Sequence, residues 1–166
     1  MYTKSITKKK IEENSKVLFV CLGNICRSPA AEAVLKKISN DLDFKLEISS
    51  AGLISYHQGE LPDMRMMTTA QKRGYTLKHR ARKISERDFE YYDYIIGMDN
   101  ENIHKLNQLC PVQYQNKIIL IADYFSPEII HESVPDPYYG GLGDFDTVIT
   151  LLENACKNML KIEKNK

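Results

Sequence analysis

The chain alternates short apolar runs with longer segments whose apolar residues fall on one face. The apolar runs have the length and composition of buried strands, and they cover residues 17–20, 46–49, 94–98 and 117–121. The amphipathic segments have helical periodicity, and they cover residues 29–38, 63–73, 99–109 and 144–162, with a further helix opening at 85–88. This alternation predicts an α/β fold: a doubly wound, four-stranded parallel sheet with helices on both faces, in three α/β/α layers.

Local signals mark where several of the helices begin and end. Gly74 follows the second helical segment and is typical of a helix C-terminus. Ser85 and Asp88 have the spacing of a capping box, and Asp99 is a favourable cap for the next helix. In a doubly wound sheet, ligands bind beyond the carboxyl ends of the strands at the switch point. We therefore expect the functional site directly after the first strand.

Composition and charge limit the classes of partner. The 166 residues are 43% hydrophobic and carry a net charge of +1, which predicts one domain with no nucleic-acid or membrane affinity. We expect that domain at residues 16–166, after a flexible, polar tail at residues 1–15. No apolar run approaches the roughly 20 residues of a membrane span, and the start lacks the apolar centre of a signal peptide. These features predict a cytoplasmic protein with reduced cysteines.

The loop after the first strand has the features of an anion pocket. Cys21 directly follows the apolar run, and Arg27 comes shortly after it in the same loop. Gly23 and Asn24 can adopt left-handed backbone angles at low cost. Such turns direct successive backbone N–H groups toward one centre, where an anion binds. The guanidinium of Arg27 can hold two oxygens of a phosphate group.

A predicted helix start adds positive potential to the same loop. Ser28 is a favourable N-cap, and Pro29 suits the first helical position. A helix N-terminus beside an arginine stabilises a thiolate, to which the Ser28 hydroxyl can also donate. We therefore expect Cys21 to be ionised at neutral pH and to attack phosphorus. The alternative interpretation is a buried structural cysteine near an unrelated surface arginine.

A second candidate segment lies far downstream. Asp136 precedes Pro137, which holds it in an extended loop conformation. A thiolate that displaces an alkoxide or phenoxide needs an acid to protonate the leaving oxygen, and Asp136 is a candidate for that acid. Tyr138 and Tyr139 follow, and their rings can form a wall for a flat substrate. Taken by itself, the segment is also typical of an ordinary turn.

Together, the two segments resemble the low molecular weight protein tyrosine phosphatases. The resemblance rests on Cys-Leu-Gly-Asn-Ile-Cys-Arg-Ser-Pro at 21–29 and Asp-Pro-Tyr-Tyr at 136–139, and it spans about residues 16–163. It implies that Cys21 is the nucleophile, Arg27 binds phosphate and Asp136 is the general acid and base. It also implies a phosphate-binding loop made of Leu22, Gly23, Asn24, Ile25, Cys26, Arg27 and Ser28.

The resemblance has further implications for recognition. It implies that Ser50 and His79 support the loop from behind, and that Tyr56, Tyr138 and Tyr139 recognise the substrate ring. The implied substrates are phosphotyrosyl proteins and small aryl phosphates, with inorganic phosphate and other oxyanions as inhibitors. Neither a cofactor nor a metal is implied, because Arg27 and the loop amides balance the charge of the phosphate. We expect a monomer.

Other functions remain open on the same fold. An arsenate reductase would relay a disulfide through further cysteines placed close together, whereas Cys110 and Cys156 are far apart. A phosphoarginine phosphatase of this fold tends to carry threonine where this chain has Ile25. A non-catalytic phosphotyrosine-binding module would have no need of the Cys21 nucleophile.

The remaining cysteines and histidines give weaker signals. Cys26 shares the loop with Cys21, and it can form a disulfide with a sulfenic acid on Cys21 after peroxide treatment. Cys110 and Cys156 are expected to be structural. The four histidines form no metal-ligand pattern and, His79 aside, are expected at the surface or in the core.

Overall fold

The structure is a computed structural model that describes residues 10–160. Its four strands are β1 (Lys16–Cys21), β2 (Glu47–Gly52), β3 (Tyr94–Gly97) and β4 (Ile118–Leu120). Its α-helices are α1 (Arg27–Asp41), α2 (Met64–Lys72), α3 (Glu86–Tyr91), α4 (Asn100–Leu109) and α5 (Leu142–Met159). Short 3₁₀ helices at Val112–Lys117 and Ile121–Tyr124 flank β4.

The strands form one parallel sheet in the order β2-β1-β3-β4. This confirms the predicted doubly wound topology. The chain leaves β1 toward β2 on one side and later returns to place β3 on the other side. The switch point therefore lies at the carboxyl end of β1, which is Cys21.

Alternate residues of β1 contribute to two cores on opposite faces of the sheet. Val17 and Phe19 point into the larger core, which α1, α2 and α5 cover. Leu18 and Val20 point into the smaller core, which α3 and α4 cover. Helices on both faces confirm the three-layer prediction. No helix within residues 10–160 has both the length and the apolar character needed to span a bilayer.

Several element boundaries differ from the sequence-based predictions, among them those of β4 and α5. The fourth strand is only Ile118–Leu120, because it pairs with β3 at these three positions and the chain turns into 3₁₀ helix at both ends. Helix α5 begins at Leu142, two residues before the predicted start. The Asp144 carboxylate accepts a hydrogen bond from the backbone N–H of Gly141 at 2.9 Å, so Asp144 caps the helix from within its first turn.

The segment before β1 is packed where the structure describes it. Ile11 is only 4% exposed and lies in the larger core. The backbone N–H of Asn14 donates to the carbonyl of Lys45 at 2.7 Å, and the Tyr94 hydroxyl donates to the carbonyl of Lys10 at 3.0 Å. Residues 10–15 are therefore part of the folded unit, although the sequence-based prediction placed them in the flexible tail. The rest of that predicted tail lies outside the described residues.

Candidate active site

The loop between β1 and α1 turns sharply at Asn24. Its φ of 58° is left-handed, as predicted, but Gly23 is not among the left-handed glycines of the described chain. Gly23 instead lies close to another side chain, because a Cβ there would be 3.1 Å from Cδ2 of His57, a tight contact that the ring would have to relieve by a small shift. Glycine at this position lets the His57 ring pack against the loop.

The Cys21 sulfur lies at the floor of this loop and contacts Ser28. The distance from Sγ to the Ser28 Oγ is 3.0 Å. The Asn24 amide donates to the same Ser28 oxygen at 2.8 Å, which leaves the hydroxyl hydrogen for the nearby sulfur or for the more distant Ala51 carbonyl at 3.5 Å. Helix α1 begins at Arg27 with no side-chain cap. Ser28 is therefore not the N-cap that the sequence predicted, because its hydroxyl is directed at Cys21.

Asn24 is the centre of the hydrogen-bond network behind the loop. Its side-chain amide donates to Ser28 Oγ at 2.8 Å and to Ser50 Oγ at 3.0 Å. Its side-chain carbonyl faces Nε2 of His79 at 2.9 Å and accepts from the backbone N–H of Arg82 at 3.0 Å. The structure thus brings the predicted supporting residues Ser50 and His79 into direct contact with the loop.

Glu32 forms a second layer of this network that sequence reasoning did not identify. Its Oε1 accepts from Ser50 Oγ at 2.9 Å and lies 3.3 Å from Nδ1 of His79. Burial lowers the pKa of His79, and the Glu32 carboxylate opposes that effect. A signal was present in the sequence, because Glu32 lies one helical turn after Ser28 and so faces the same side of α1.

Arg27 is fixed in place before any substrate binds. The side chain is buried, and its Nη1 donates to the Asp99 carboxylate at 2.5 Å and to the Val134 carbonyl at 3.1 Å. Burial alone would lower the pKa of Arg27, but Cys21, Asp99 and Asp136 outweigh it and raise the pKa. Asp99 was predicted only as the cap of α4. It serves as that cap and also orients Arg27.

Asp136 reaches the same cavity from the downstream segment. Its Oδ2 lies 3.8 Å from Nη2 of Arg27, and its side chain is 44% exposed. Its Oδ1 accepts a hydrogen bond from the backbone N–H of Tyr138 at 3.1 Å. The cavity has a volume of about 300 Å³, and its lining includes Cys21, Arg27 and Asp136. A thiol, a guanidinium and a carboxylate from distant parts of the sequence therefore meet in one site.

Comparison with known proteins decides the family. The model of the low molecular weight phosphotyrosine protein phosphatase family matches residues 16–166. The low molecular weight phosphotyrosine protein phosphatase of Schizosaccharomyces pombe is 40% identical over 152 residues, covering 90% of this chain and 97% of that protein. The protein of the same name from Gallus gallus is 41% identical, covering 90% of this chain and 96% of that protein. The chain belongs to the low molecular weight protein tyrosine phosphatases.

Solved structures agree with this assignment. The crystal structure of a protein tyrosine phosphatase from Entamoeba histolytica, with Hepes in its active site, superposes with a TM-score of 0.85. That protein is 47% identical, and the match covers 87% of this chain and 94% of that chain. A Drosophila arginine phosphatase has a TM-score of 0.81 at 34% identity, covering 86% of this chain and 94% of that chain.

Aromatic side chains surround the mouth of the phosphatase cavity. Tyr56 and Tyr139 are 81% and 95% exposed, and Tyr138 is partly covered. These three predicted recognition residues all line the cavity. His57 also lines it, and its ring centroid lies 4.8 Å from that of Tyr56 and 6.5 Å from that of Tyr138. No sequence pattern predicted His57 at this site, because its position depends on how residues 52–60 fold over Gly23.

The remaining loop residues of the phosphatase lie at the cavity, whereas its other two cysteines lie in the cores. Leu22, Gly23, Ile25 and Cys26 line the cavity with the catalytic candidates. Cys26 is buried, and burial, together with the charges of Asp63 and Cys21, raises the pKa of its thiol. Cys110 and Cys156 are buried and free in the two cores, as expected of structural cysteines. Among the described residues, no group of three or more His, Cys, Asp or Glu side chains is placed to hold a metal ion.

Proposed function

We propose that this phosphatase hydrolyses phosphotyrosine through a phosphocysteine on Cys21, with Arg27 binding phosphate and Asp136 as acid and base. The observation that carries the proposal is the meeting of these three side chains at one cavity. Each provides a group that phosphoryl transfer needs: a nucleophile, a charge that holds the phosphate, and a proton carrier.

In the first step, the phosphoryl group moves from the substrate to the enzyme. The Cys21 thiolate attacks phosphorus in line, so that an S–P bond forms while the P–O bond to the tyrosine ring breaks. Asp136 enters this step protonated and gives its proton to the leaving oxygen. The products of the step are a neutral phenol, a phosphocysteine and an Asp136 carboxylate.

In the second step, water releases the phosphate. The Asp136 carboxylate takes a proton from the attacking water, whose oxygen bonds to phosphorus as the S–P bond breaks. The thiolate of Cys21 and the protonated Asp136 are thereby restored, and inorganic phosphate leaves. The Ser28 hydroxyl, 3.0 Å from the sulfur, stabilises the thiolate as it departs.

Arg27 and the loop amides supply the electrostatic part of catalysis in both steps. The guanidinium is held by Asp99 and the Val134 carbonyl, so it needs little reorganisation when the phosphate arrives. We propose that this arrangement needs no metal or cofactor, because the Arg27 guanidinium and the backbone amides of the loop would balance the charge of the phosphate. Inorganic phosphate and similar oxyanions should occupy the same position and inhibit.

The mouth of the cavity supports a preference for aromatic esters. The rings of Tyr56 and Tyr138 both lie near His57 at this mouth, and Tyr139 packs edge-on against Tyr138 at 5.0 Å. A phenyl ring entering the mouth gains stacking and edge contacts with these aromatic side chains. Phosphotyrosyl proteins and small aryl phosphates are therefore the proposed substrates.

The proposal extends to the working state of the protein. A cytoplasmic location is supported by the four free, buried cysteines of the described chain. The monomer remains a prediction, which small-angle scattering across a concentration series tests directly. A radius of gyration that rises with concentration would contradict it.

The experiment that tests the proposed function is phosphate release from a phosphotyrosine peptide at mildly acidic pH in EDTA. Wild type is expected to be active, and Cys21→Ser to be inactive while it remains folded by circular dichroism. Asp136→Asn is expected to slow turnover by about 100-fold or more, the contribution typical of a general acid. Full activity of Cys21→Ser would contradict the proposal.

Phosphoarginine is the second candidate substrate. The specific observation in its favour is the similarity to the Drosophila arginine phosphatase. Against it stands Ile25, whose side chain lines the cavity where that subgroup tends to have threonine. The ratio of kcat/KM for phosphotyrosine and phosphoarginine peptides decides between them, and we expect it to favour phosphotyrosine. No hydrolysis of either by folded, reduced protein would indicate arsenate reduction or binding alone.

A further inference from the structure

Asp136 lies on an exposed segment whose preceding residues are firmly anchored. Val134 is fully buried, and its backbone N–H donates to the Met98 carbonyl at 3.0 Å. Its own carbonyl accepts from Arg27 Nη1 at 3.1 Å. The chain therefore enters the Asp136 segment from a fixed point at the end of β3.

Arg65 forms an anchor on the other side of Asp136. Its Nη2 donates to the Tyr138 carbonyl at 2.9 Å. Its guanidinium also lies over the Tyr138 ring, 5.5 Å from the centroid, and over the Phe145 ring at 4.6 Å. The backbone N–H of Tyr138 donates to Asp136 Oδ1. Arg65 thus holds the residue that orients the Asp136 carboxylate.

Arg65 is in turn tied to the phosphate-binding loop. Its Nε and Nη2 donate to the two carboxylate oxygens of Asp63 at 3.1 and 3.0 Å. The backbone N–H of Asp63 donates to the Ile25 carbonyl at 2.8 Å. A continuous series of contacts therefore runs from Ile25 through Asp63 and Arg65 to Tyr138. It sets the position of the Asp136 segment relative to the loop that carries Cys21.

We infer that Arg65 is a positioning residue that holds Asp136 where it can protonate the leaving oxygen. This inference rests on the proposed function, because it requires Asp136 to be the acid. Arg65 is not part of the cavity lining, so it acts through Tyr138 and not on the substrate. The planar guanidinium is needed because it must pair with Asp63, donate to a carbonyl and stack on rings at once, which an ammonium group cannot do.

The test compares two substrates that differ in their need for the acid. Phenyl phosphate releases a basic phenoxide that needs a proton, whereas 2,4-dinitrophenyl phosphate releases a stable anion. For Arg65→Ala, kcat/KM should fall about tenfold with phenyl phosphate, the scale of a small misplacement of a catalytic group. It should stay within about twofold with the dinitrophenyl ester. The ratio of kcat/KM for phenyl phosphate to kcat/KM for the dinitrophenyl ester does not depend on the folded fraction, because both constants are measured on one preparation.

A matched control and a double variant separate positioning from stability. Arg73 also joins the α2 region to α5, donating to the Asp146 carbonyl at 3.0 Å and to Thr150 Oγ1 at 2.9 Å, so Arg73→Ala should leave the ratio unchanged. Arg65→Lys should resemble Arg65→Ala. In an Asp136→Asn background, Arg65→Ala should lower the phenyl phosphate constant no further, because the two residues act as one unit.

The outcomes distinguish the two claims. If Asp136→Asn lowers the ratio and Arg65→Ala does not, the inference is overturned while the proposed function stands. An equal loss with both substrates in Arg65→Ala also overturns it, because that result indicates a purely structural role. If Asp136→Asn itself leaves the ratio unchanged, the acid role of Asp136 fails and the inference fails with it.

Discussion

At Asn24, one buried side chain serves both the backbone turn and the network behind it. It is 1% exposed, has a φ of 58°, and contacts Ser28, Ser50, His79 and the backbone of Arg82. We predict that Asn24→Ala lowers the free energy of unfolding by about 2–4 kcal/mol, because the backbone N–H of Arg82 and Nε2 of His79 lose the Asn24 carbonyl, and Ser28 and Ser50 each lose one hydrogen bond. Urea denaturation measures this loss, and kcat/KM should fall with it as the loop relaxes.

Asn14 provides the control for the backbone part of this effect. It has a similar φ of 68° but an exposed side chain. Asn14→Ala should therefore cost only the strain of a left-handed alanine, about 1–2 kcal/mol. Equal losses in the two variants would show that the Asn24 hydrogen bonds add nothing to stability.

Arg27 gives a second prediction at the scale of one residue. Arg27→Lys keeps the charge but loses the fork that pairs with Asp99, the Val134 carbonyl and the phosphate. We expect kcat/KM for a phosphotyrosine peptide to fall by about 100-fold or more, as for removal of a preorganised anion donor. A loss below tenfold would indicate that charge alone suffices.

The sequence predicted the reactive side chains better than the residues that hold them. Cys21 and Arg27 could be identified because they lie in one short loop between a strand and a helix. Asp99 could not, since it finds Arg27 only after β3 is packed in place, and Glu32 was missed although its helical spacing from Ser28 was a signal. The prediction that Asp99 caps α4 was correct but incomplete. Its second carboxylate oxygen accepts from Arg27, and no local sequence pattern predicts that contact.

Helix α3 shows how a local capping signal becomes part of the fold. The Asp88 carboxylate accepts from the backbone N–H of Ser85 at 2.7 Å and from both Nη atoms of Arg82 at 2.9 and 3.0 Å. Burial would raise the pKa of Asp88, but the hydrogen bonds from Arg82 and Ser85 outweigh it and lower the pKa. Arg82 also donates its backbone N–H to Asn24. The cap of α3 is therefore linked to the phosphate-binding loop.

The lowered pKa of Asp88 predicts a specific response to acid. A depressed native pKa stabilises the fold above the unfolded value of about 3.9, and this contribution disappears as pH falls through the native pKa. Asp88→Asn should be less stable than wild type at pH 7, and the difference should shrink between about pH 5 and pH 2. Thermal unfolding across this range measures it. A difference independent of pH would contradict the role assigned to the carboxylate.

Element boundaries were predictable where a side chain signals them. The capping box of α3 and the Asp99 cap of α4 appear where the sequence placed them. The predicted start of α1 was wrong. Serine is a favourable N-cap residue, but the Ser28 hydroxyl contacts the sulfur of Cys21. The ends of β4 were misplaced because pairing with β3, and not the apolar run itself, determines the length of an edge strand.

Across the whole molecule, α5 closes the larger core that supports the Cys21 side of the sheet. Leu152 is fully buried in that core. Leu152→Ala should lower the free energy of unfolding by about 2–5 kcal/mol through lost burial and a new cavity. Leu142, on the same helix, is exposed, and Leu142→Ala should change stability by less than about 0.5 kcal/mol. Chemical denaturation of both variants checks the difference, and similar losses in the two would contradict it.

The overall topology followed from the alternation of apolar runs and amphipathic segments, because parallel strands joined by helices have few arrangements. What the alternation cannot show is the distance between Asp136 and Cys21. That depends on Val134 and Arg65, which fix the downstream segment through contacts to β3 and to the Tyr138 carbonyl. The two halves of the site are joined by tertiary contacts and not by any local pattern.

The central claim is that Cys21 carries the phosphoryl group between the two steps. Rapid quenching of the enzyme with a ³²P-labelled aryl phosphate, followed by peptide mapping, tests it most directly. The account predicts a transient label on the peptide that contains Cys21, and no label in Cys21→Ser. Label on another residue, or turnover of substrate by Cys21→Ser at the wild-type rate, would contradict the account.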